Sequence, residues 1–272
     1  MFLLLLITCI VAQEKFMILM YKDTLKLSLF NPQNMTTNLV KDFGINDYCS
    51  RGNCVFNMKN KSIYFLIDFY LYDVNFKGIT LSYMEAPMIY PRIINDVLYG
   101  LVDNTIAEVG YRKFYPKYTL PNGVYEIFGY TNSENTNTVH VWFNYDDGTN
   151  VVTSLKNWNV MTTYYLPINL EGLYLTTNEL GNLIYFIGIN RLTNTNEMYT
   201  LNLTNGNFDI SIIYYNTSYL LAAAISDGKI YSVMESNLIY GVYFWIVTDL
   251  RTMKYYFRRI TLDSTINCIG II

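Results

Sequence analysis

The feature that most constrains this chain is a repeated alternation of apolar and polar residues broken by tight turns. From Met198 to Tyr215, MYTLNLTNGNFDISIIYY places Tyr199, Leu201 and Leu203 on one face, turns at Asn205-Gly206, then places Phe208, Ile210 and Ile212 on one face. A period of two is the signature of a half-buried strand, and Asn-Gly tolerates the positive φ that a two-residue hairpin turn demands. The pattern recurs with Leu25, Leu27 and Leu29 before Pro32; with Tyr72, Val74 and Phe76 before Gly78; and with Val139, Val141, Phe143 and Tyr145 before Asp147-Gly148. A last hairpin turns near Arg251. No long segment follows a period of 3.6, and 17% aromatic content with 27 tyrosines against 15% charged residues suits strands better than exposed helices. The chain is therefore expected to be all-β.

A second element precedes the hairpins: an apolar residue followed by Tyr, at Ile63-Tyr64, Leu98-Tyr99, Val124-Tyr125, Ile184-Tyr185 and Ile230-Tyr231. The turns at Pro32 and Arg251 lie 219 residues apart (251 − 32), so five intervals average about 44 residues, the length of a four-stranded propeller blade. The unit of apolar-Tyr, spacer, strand, turn and strand, as in Gly181 to Tyr215, resembles the blades of secreted or cell-surface β-propellers from Lys15 onward. It departs from named repeats: no Trp-Asp dipeptide of the WD40 type and no double-Gly kelch pattern occurs, and NYDDGTNVV lacks the Ser and Trp of a sialidase Asp-box. The resemblance implies a β-propeller of about six irregular blades in a single domain over residues 13–272. Tyr positions 35, 26, 60 and 46 residues apart leave two options, a truncated blade near Asp96 to Tyr118 or a different blade count. A β-sandwich or two small β domains are the alternatives. Closing a ring of blades requires the chain ends to share a sheet, so Ile266 to Ile271 is expected to pair with Phe16 to Tyr21.

Met1 to Ala12 is an unbroken apolar run too short to cross about 30 Å of hydrocarbon, followed by Gln13-Glu14. It reads as a signal peptide over residues 1–12, with the remainder secreted and without a membrane span. Sequons at Asn34, Asn60, Asn202 and Asn216 agree with that route and are the expected glycosylation sites. In an oxidising compartment, DYCSRGNCVF reads as a local disulfide between Cys49 and Cys54, leaving Cys268 as a buried thiol.

Catalytic chemistry has little to rest on. His140, the only histidine, alternates with Val139 and Val141, which puts it on the opposite face with Trp142 as a surface or ladder residue and excludes two-His zinc sites. Asp68, Asp73, Glu85, Asp96, Glu108 and Glu126 could form paired carboxylates only if the fold brought them together. Asp146-Asp147-Gly148 has the oxygens to begin a calcium site but lacks the further spaced acids of a calcium loop, so a hairpin turn is expected there and no cofactor is assigned. YRKFYPKY from Tyr111 and KYYFRR from Lys254 read as exposed edge strands guarded by charge and Pro116. A net charge of −3 with only short basic runs argues against a nucleic-acid partner. The expected function is that of an extracellular binding or scaffold protein recognising a protein or glycan through propeller loops. The alternative is a calcium- or carboxylate-dependent propeller hydrolase, lactonase-like or glycosidase-like.

Overall fold

The computed structural model of the chain describes residues 16–21, 24–45, 54–57, 59–75, 77–133, 135–167, 170–178, 180–190, 192–215, 217–260 and 265–271. These form strands and turns with no helix among them. The strands assemble into six four-stranded sheets, the blades of a β-propeller.

Blade 1 contains β1 (Phe16–Tyr21), β2 (Leu25–Asn31) and β3 (Thr36–Asp42). Blade 2 contains β4 (Cys54–Asn57), β5 (Ser62–Ile67), β6 (Tyr70–Asn75) and β7 (Gly78–Tyr83). Blade 3 contains β8 (Ile89–Ile94), β9 (Val97–Val102), β10 (Thr105–Val109) and β11 (Phe114–Thr119). Blade 4 contains β12 (Val124–Ser133), β13 (Thr138–Tyr145), β14 (Asn150–Lys156) and β15 (Asn159–Leu166). Blade 5 contains β16 (Leu170–Thr177), β17 (Leu183–Asn190), β18 (Thr195–Asn202) and β19 (Phe208–Tyr214). Blade 6 contains β20 (Thr217–Ser226), β21 (Lys229–Ser236), β22 (Tyr243–Asp249) and β23 (Lys254–Ile260).

The innermost strand of blade 1 comes from the other end of the chain. β24 (Thr265–Ile271) pairs antiparallel with β1, matching Phe16 with Ile271 and Leu19 with Cys268. β24 also touches β20 on one side and β4 on the other, and β4, β8, β12, β16 and β20 continue the contacts around the ring. This is the expected closure, and it gives β1 a partner where an open sheet edge would otherwise remain.

Inner strands crowd around the axis, and most of them carry a register shift against their neighbour. Shifts occur between Ile89 and Arg92, between Ile127 and Gly129, between Gly172 and Tyr174, and between Leu220 and Ala222. A bulge adds local twist and bends the strand, which lets a long strand such as β12 or β20 follow the curved inner wall.

The core lies between blades rather than on one side of a sheet. Val139, Val141 and Phe143 of β13 pack with Tyr99, Leu101 and Ile106 of blade 3, while Trp142 of the same strand packs with Leu175, Ile184 and Phe186 of blade 5. A second strand is therefore covered on both faces. His140 is corrected on this ground: it is 1% exposed, because the face opposite Val139 and Val141 meets a neighbouring blade and not solvent.

The uneven Tyr spacing also has a structural cause. Tyr64, Tyr99, Tyr185 and Tyr231 lie on second strands β5, β9, β17 and β21, whereas Tyr125 lies on the inner strand β12. The equivalent position in blade 4 is His140, 41 residues after Tyr99 (140 − 99) and 45 before Tyr185 (185 − 140). Blade 3 is not truncated; it is compact, with strands of five or six residues. Likewise Asp147 turns from the second to the third strand of its blade, while Pro32, Gly78, Gly206 and Arg251 lie at turns from the third to the fourth.

Candidate binding cleft on one face of the propeller

Each blade is an antiparallel meander, so the turns leaving its first and third strands emerge on one face and the turn leaving its second strand emerges on the other. Side-chain contacts tie the first set together. Lys59 Nζ lies 2.6 Å from Asp96 Oδ2, and Asn95 Nδ2 donates to Asn137 Oδ1 at 3.2 Å, linking blades 2, 3 and 4. Thr177 Oγ1 donates to the carbonyl of Asn132 at 3.0 Å, linking the inner strands of blades 4 and 5.

On this face the ends of β12, β16 and β20 surround a cleft of about 930 Å³. Its floor uses Thr131, Thr176 and Tyr185, and its rim carries Asn135, Asn178, Leu180, Asp227, Lys229 and Arg251. The rim is built from turns whose side chains also fix their own backbone. Asn178 Oδ1 accepts from the amides of Asn182 and Leu183 at 3.1 and 3.0 Å, holding the turn between β16 and β17. Asp249 Oδ1 accepts from the amides of Thr252 and Arg251 at 2.9 and 3.0 Å. Those amide bonds, Thr252 first, hold the Asp249 carboxyl below its ordinary range, so it stays ionised beside Arg251. Burial pushes the Tyr185 phenol up, and its ring is almost wholly covered.

The cleft thus presents amides, hydroxyls, two carboxylates and two cations around Leu180, Ile225 and Leu250. Charges of both signs suit a ligand with its own donors, acceptors and apolar groups better than a simple anion. Of its lining residues, Tyr185 and Arg251 are marked in the sequence only as repeat and turn positions, and none is marked there as a binding residue. The legible signal would have been positional: the turns after Thr131-Asn132, Thr176-Thr177 and Ile225-Ser226 all leave inner strands, but inner strands can be recognised only once the blades are in register.

The residues singled out from sequence lie elsewhere. Cys49 and Asn216 fall outside the described residues; Cys54 opens β4 with its side chain buried beside Leu25, Ile63 and Phe65. Asn34 and Asn60 are exposed in turns, and Asn202 is half-buried, accepting from the Thr204 amide at 2.9 Å. Asp147 also closes its own turn, accepting from the Thr149 amide at 2.8 Å, as expected of a hairpin. The carboxylates considered for paired chemistry are dispersed: Asp96 meets Lys59, Glu108 meets Lys117 at 2.8 Å, and Glu85 accepts from the Phe114 amide at 3.0 Å. Among the described residues no group of three or more His, Cys, Asp or Glu side chains converges. β11 and β23, which contain the aromatic and cationic stretches, are outermost strands of their blades.

No helix among the described residues is long and apolar enough to cross a membrane. No protein family matches this chain, and no curated protein does.

Proposed function

We propose that this protein is a secreted propeller that binds a segment of another protein in the cleft between blades 4, 5 and 6. The supporting observation is the cleft itself: about 930 Å³ walled by the ends of three inner strands, with its rim turns held by their own hydrogen bonds. Side-chain amides and hydroxyls can read main-chain N–H and C=O groups, and Asp227, Asp249, Lys229 and Arg251 can pair with side chains of either sign. A glycan is less well served, because the one aromatic ring in the lining, Tyr185, is covered and offers no face for stacking.

The address belongs to the same reading. Removal of residues 1–12, sequon occupancy at Asn34, Asn60, Asn202 and Asn216, and a bond between Cys49 and Cys54 would all follow from export. N-terminal sequencing and peptide mapping of protein recovered from the medium of expressing cells test them together, and Met1 retained on that protein would exclude the leader.

The binding reading is tested by selecting displayed random peptides on the immobilised protein, with Leu180→Arg as the counter-target. Leu180 is exposed on a turn, so the substitution alters the rim without entering the core. Peptides that prefer the unaltered protein support the proposal. Enrichment indifferent to Leu180, or binding confined to a panel of immobilised glycans, overturns it.

A further inference from the structure

The two faces of the propeller differ in charge and in apolar exposure, and the difference is ordered around the axis. On the cleft face, the turns of blades 2 and 3 carry Lys59, Lys61, Lys77, Arg112 and Lys113, with Asp96 the one acid among their described residues. On the opposite face, the second-strand turns of blades 2, 3 and 4 carry Asp68, Asp103, Asp146 and Asp147, all exposed and without a cation among their described residues. Cations and acids therefore occupy nearly the same angular sector on opposite ends of the molecule.

The remaining sector shows a matching relation of shape. Between β21 and β22, on the face away from the cleft, Leu238, Ile239 and Tyr240 are 71%, 55% and 98% exposed. This tip is fixed, since Ser236 Oγ accepts from the amides of Leu238 and Ile239 at 3.2 Å and the Val242 amide donates to the Ile239 carbonyl at 3.3 Å. Three adjacent apolar side chains held out on a pinned turn are costly to leave in water. On the other face the cleft spans blades 4 to 6 and so reaches the blade that carries this tip, with Leu180, Ile225 and Leu250 among its walls.

We propose that copies of this chain stack head to tail along the propeller axis, the Leu238–Tyr240 tip of one copy seated in the cleft of the next. With little rotation between copies, the same translation lays Asp68 and Asp103 over the cationic turns of blades 2 and 3, with Asp146 and Asp147 beside them on blade 4. One orientation thus satisfies both the apolar and the charged sector. The contact is heterologous, joining different surfaces of each copy, so it does not close on itself and generates an open stack. This rests on the reading of the cleft as a protein-binding site and names its occupant as a second copy.

Sedimentation velocity of the full secreted chain tests it, over a range of protein concentrations at low and high ionic strength. The stack predicts species beyond the dimer that grow with concentration at low salt and revert to monomer when salt screens the charged sector. Two folded variants, checked by circular dichroism, separate the surfaces. Leu238→Ser with Tyr240→Ser removes the tip, Leu180→Arg blocks the cleft, and each alone should sediment as a monomer. Mixed together they retain one intact contact and should form a pair that grows no further. Wild-type protein that stays monomeric at low salt, that stops at a closed dimer, or whose two variants fail to pair overturns the stack. The binding reading fails separately, if Leu180→Arg leaves peptide capture unchanged; tip substitutions are expected not to affect that capture.

Discussion

His140 and Ser154 face each other across the β13–β14 pair, His140 Nδ1 lying 2.8 Å from Ser154 Oγ inside blade 4. The other ring nitrogen, Nε2, is buried without a hydrogen-bond partner. Burial disfavours the charged ring and pushes its pKa down to about 4 from an ordinary 6.5. A histidine here has no access to a ligand, and its consequence is for stability.

Because the folded state gives up the proton at a lower pH than the unfolded chain, stability from this residue is complete above pH 6.5 and is lost as pH falls toward 4. The shift corresponds to roughly 3 kcal/mol across that window, at about 1.4 kcal/mol per unit. Denaturant unfolding at several pH values should show stability decreasing from 6.5 to 4, and His140→Gln should flatten the part of the slope that histidine contributes. An unchanged slope in the variant would remove His140 as its cause.

Gly172 and Gly188 pair across β16 and β17, and the backbone there approaches its neighbours closely. A Cβ on Gly172 would sit 2.2 Å from the Cβ of Phe128 on the adjacent inner strand. Gly172→Ala is expected to destabilise the protein by about 1–3 kcal/mol through overpacking where blades 4 and 5 meet. Thermal unfolding with the midpoint unchanged would refute that close approach.

Glu197 is 3% exposed near the start of β18 and has neutral donors in place of a cation. Asn190 Nδ2 donates to both carboxylate oxygens at 3.2 and 3.1 Å, Thr193 and Thr195 hydroxyls each lie 3.3 Å from Oε1, and the Tyr199 hydroxyl donates to Oε2. Removing the acceptor strands the buried Tyr199 hydroxyl and takes a partner from the half-buried Asn190 amide, so Glu197→Ala should cost on the order of 1–3 kcal/mol in equilibrium unfolding. A loss no larger than that of an exposed substitution such as Asp209→Ala would show that the network contributes little.

Deleting residues 265–272 removes the inner of the two partners of β1 and the strand that touches both β20 and β4. The truncated chain should lose its single cooperative transition and aggregate, since an unpaired edge and two uncovered blade flanks are exposed together. Addition of a peptide of sequence TINCIGII should restore part of the lost stability. A truncated protein that unfolds like the full chain would contradict the role of β24 in closure.

The sequence by itself determined the local structure: alternation as in Leu25–Leu29 and Tyr199–Leu203, with turns at Gly78, Asp147-Gly148 and Gly206, follows from side-chain period and permitted φ. It also made the closure of the ring legible, because an apolar terminal segment with no turn of its own needs a sheet to join. What it could not determine was which side of a strand meets water. Alternation marks one buried face, whereas packing between blades covers both, which is why His140 belongs to the core and Trp142 to the boundary with blade 5. Tertiary structure alone also decided which turns share a face. Asn135, Asn178 and Asp227 are separated by 43 and 49 residues in sequence (178 − 135 and 227 − 178) and carry no common motif. They border one cleft because three inner strands run in the same direction around the axis, a relation that exists only after the ring has closed.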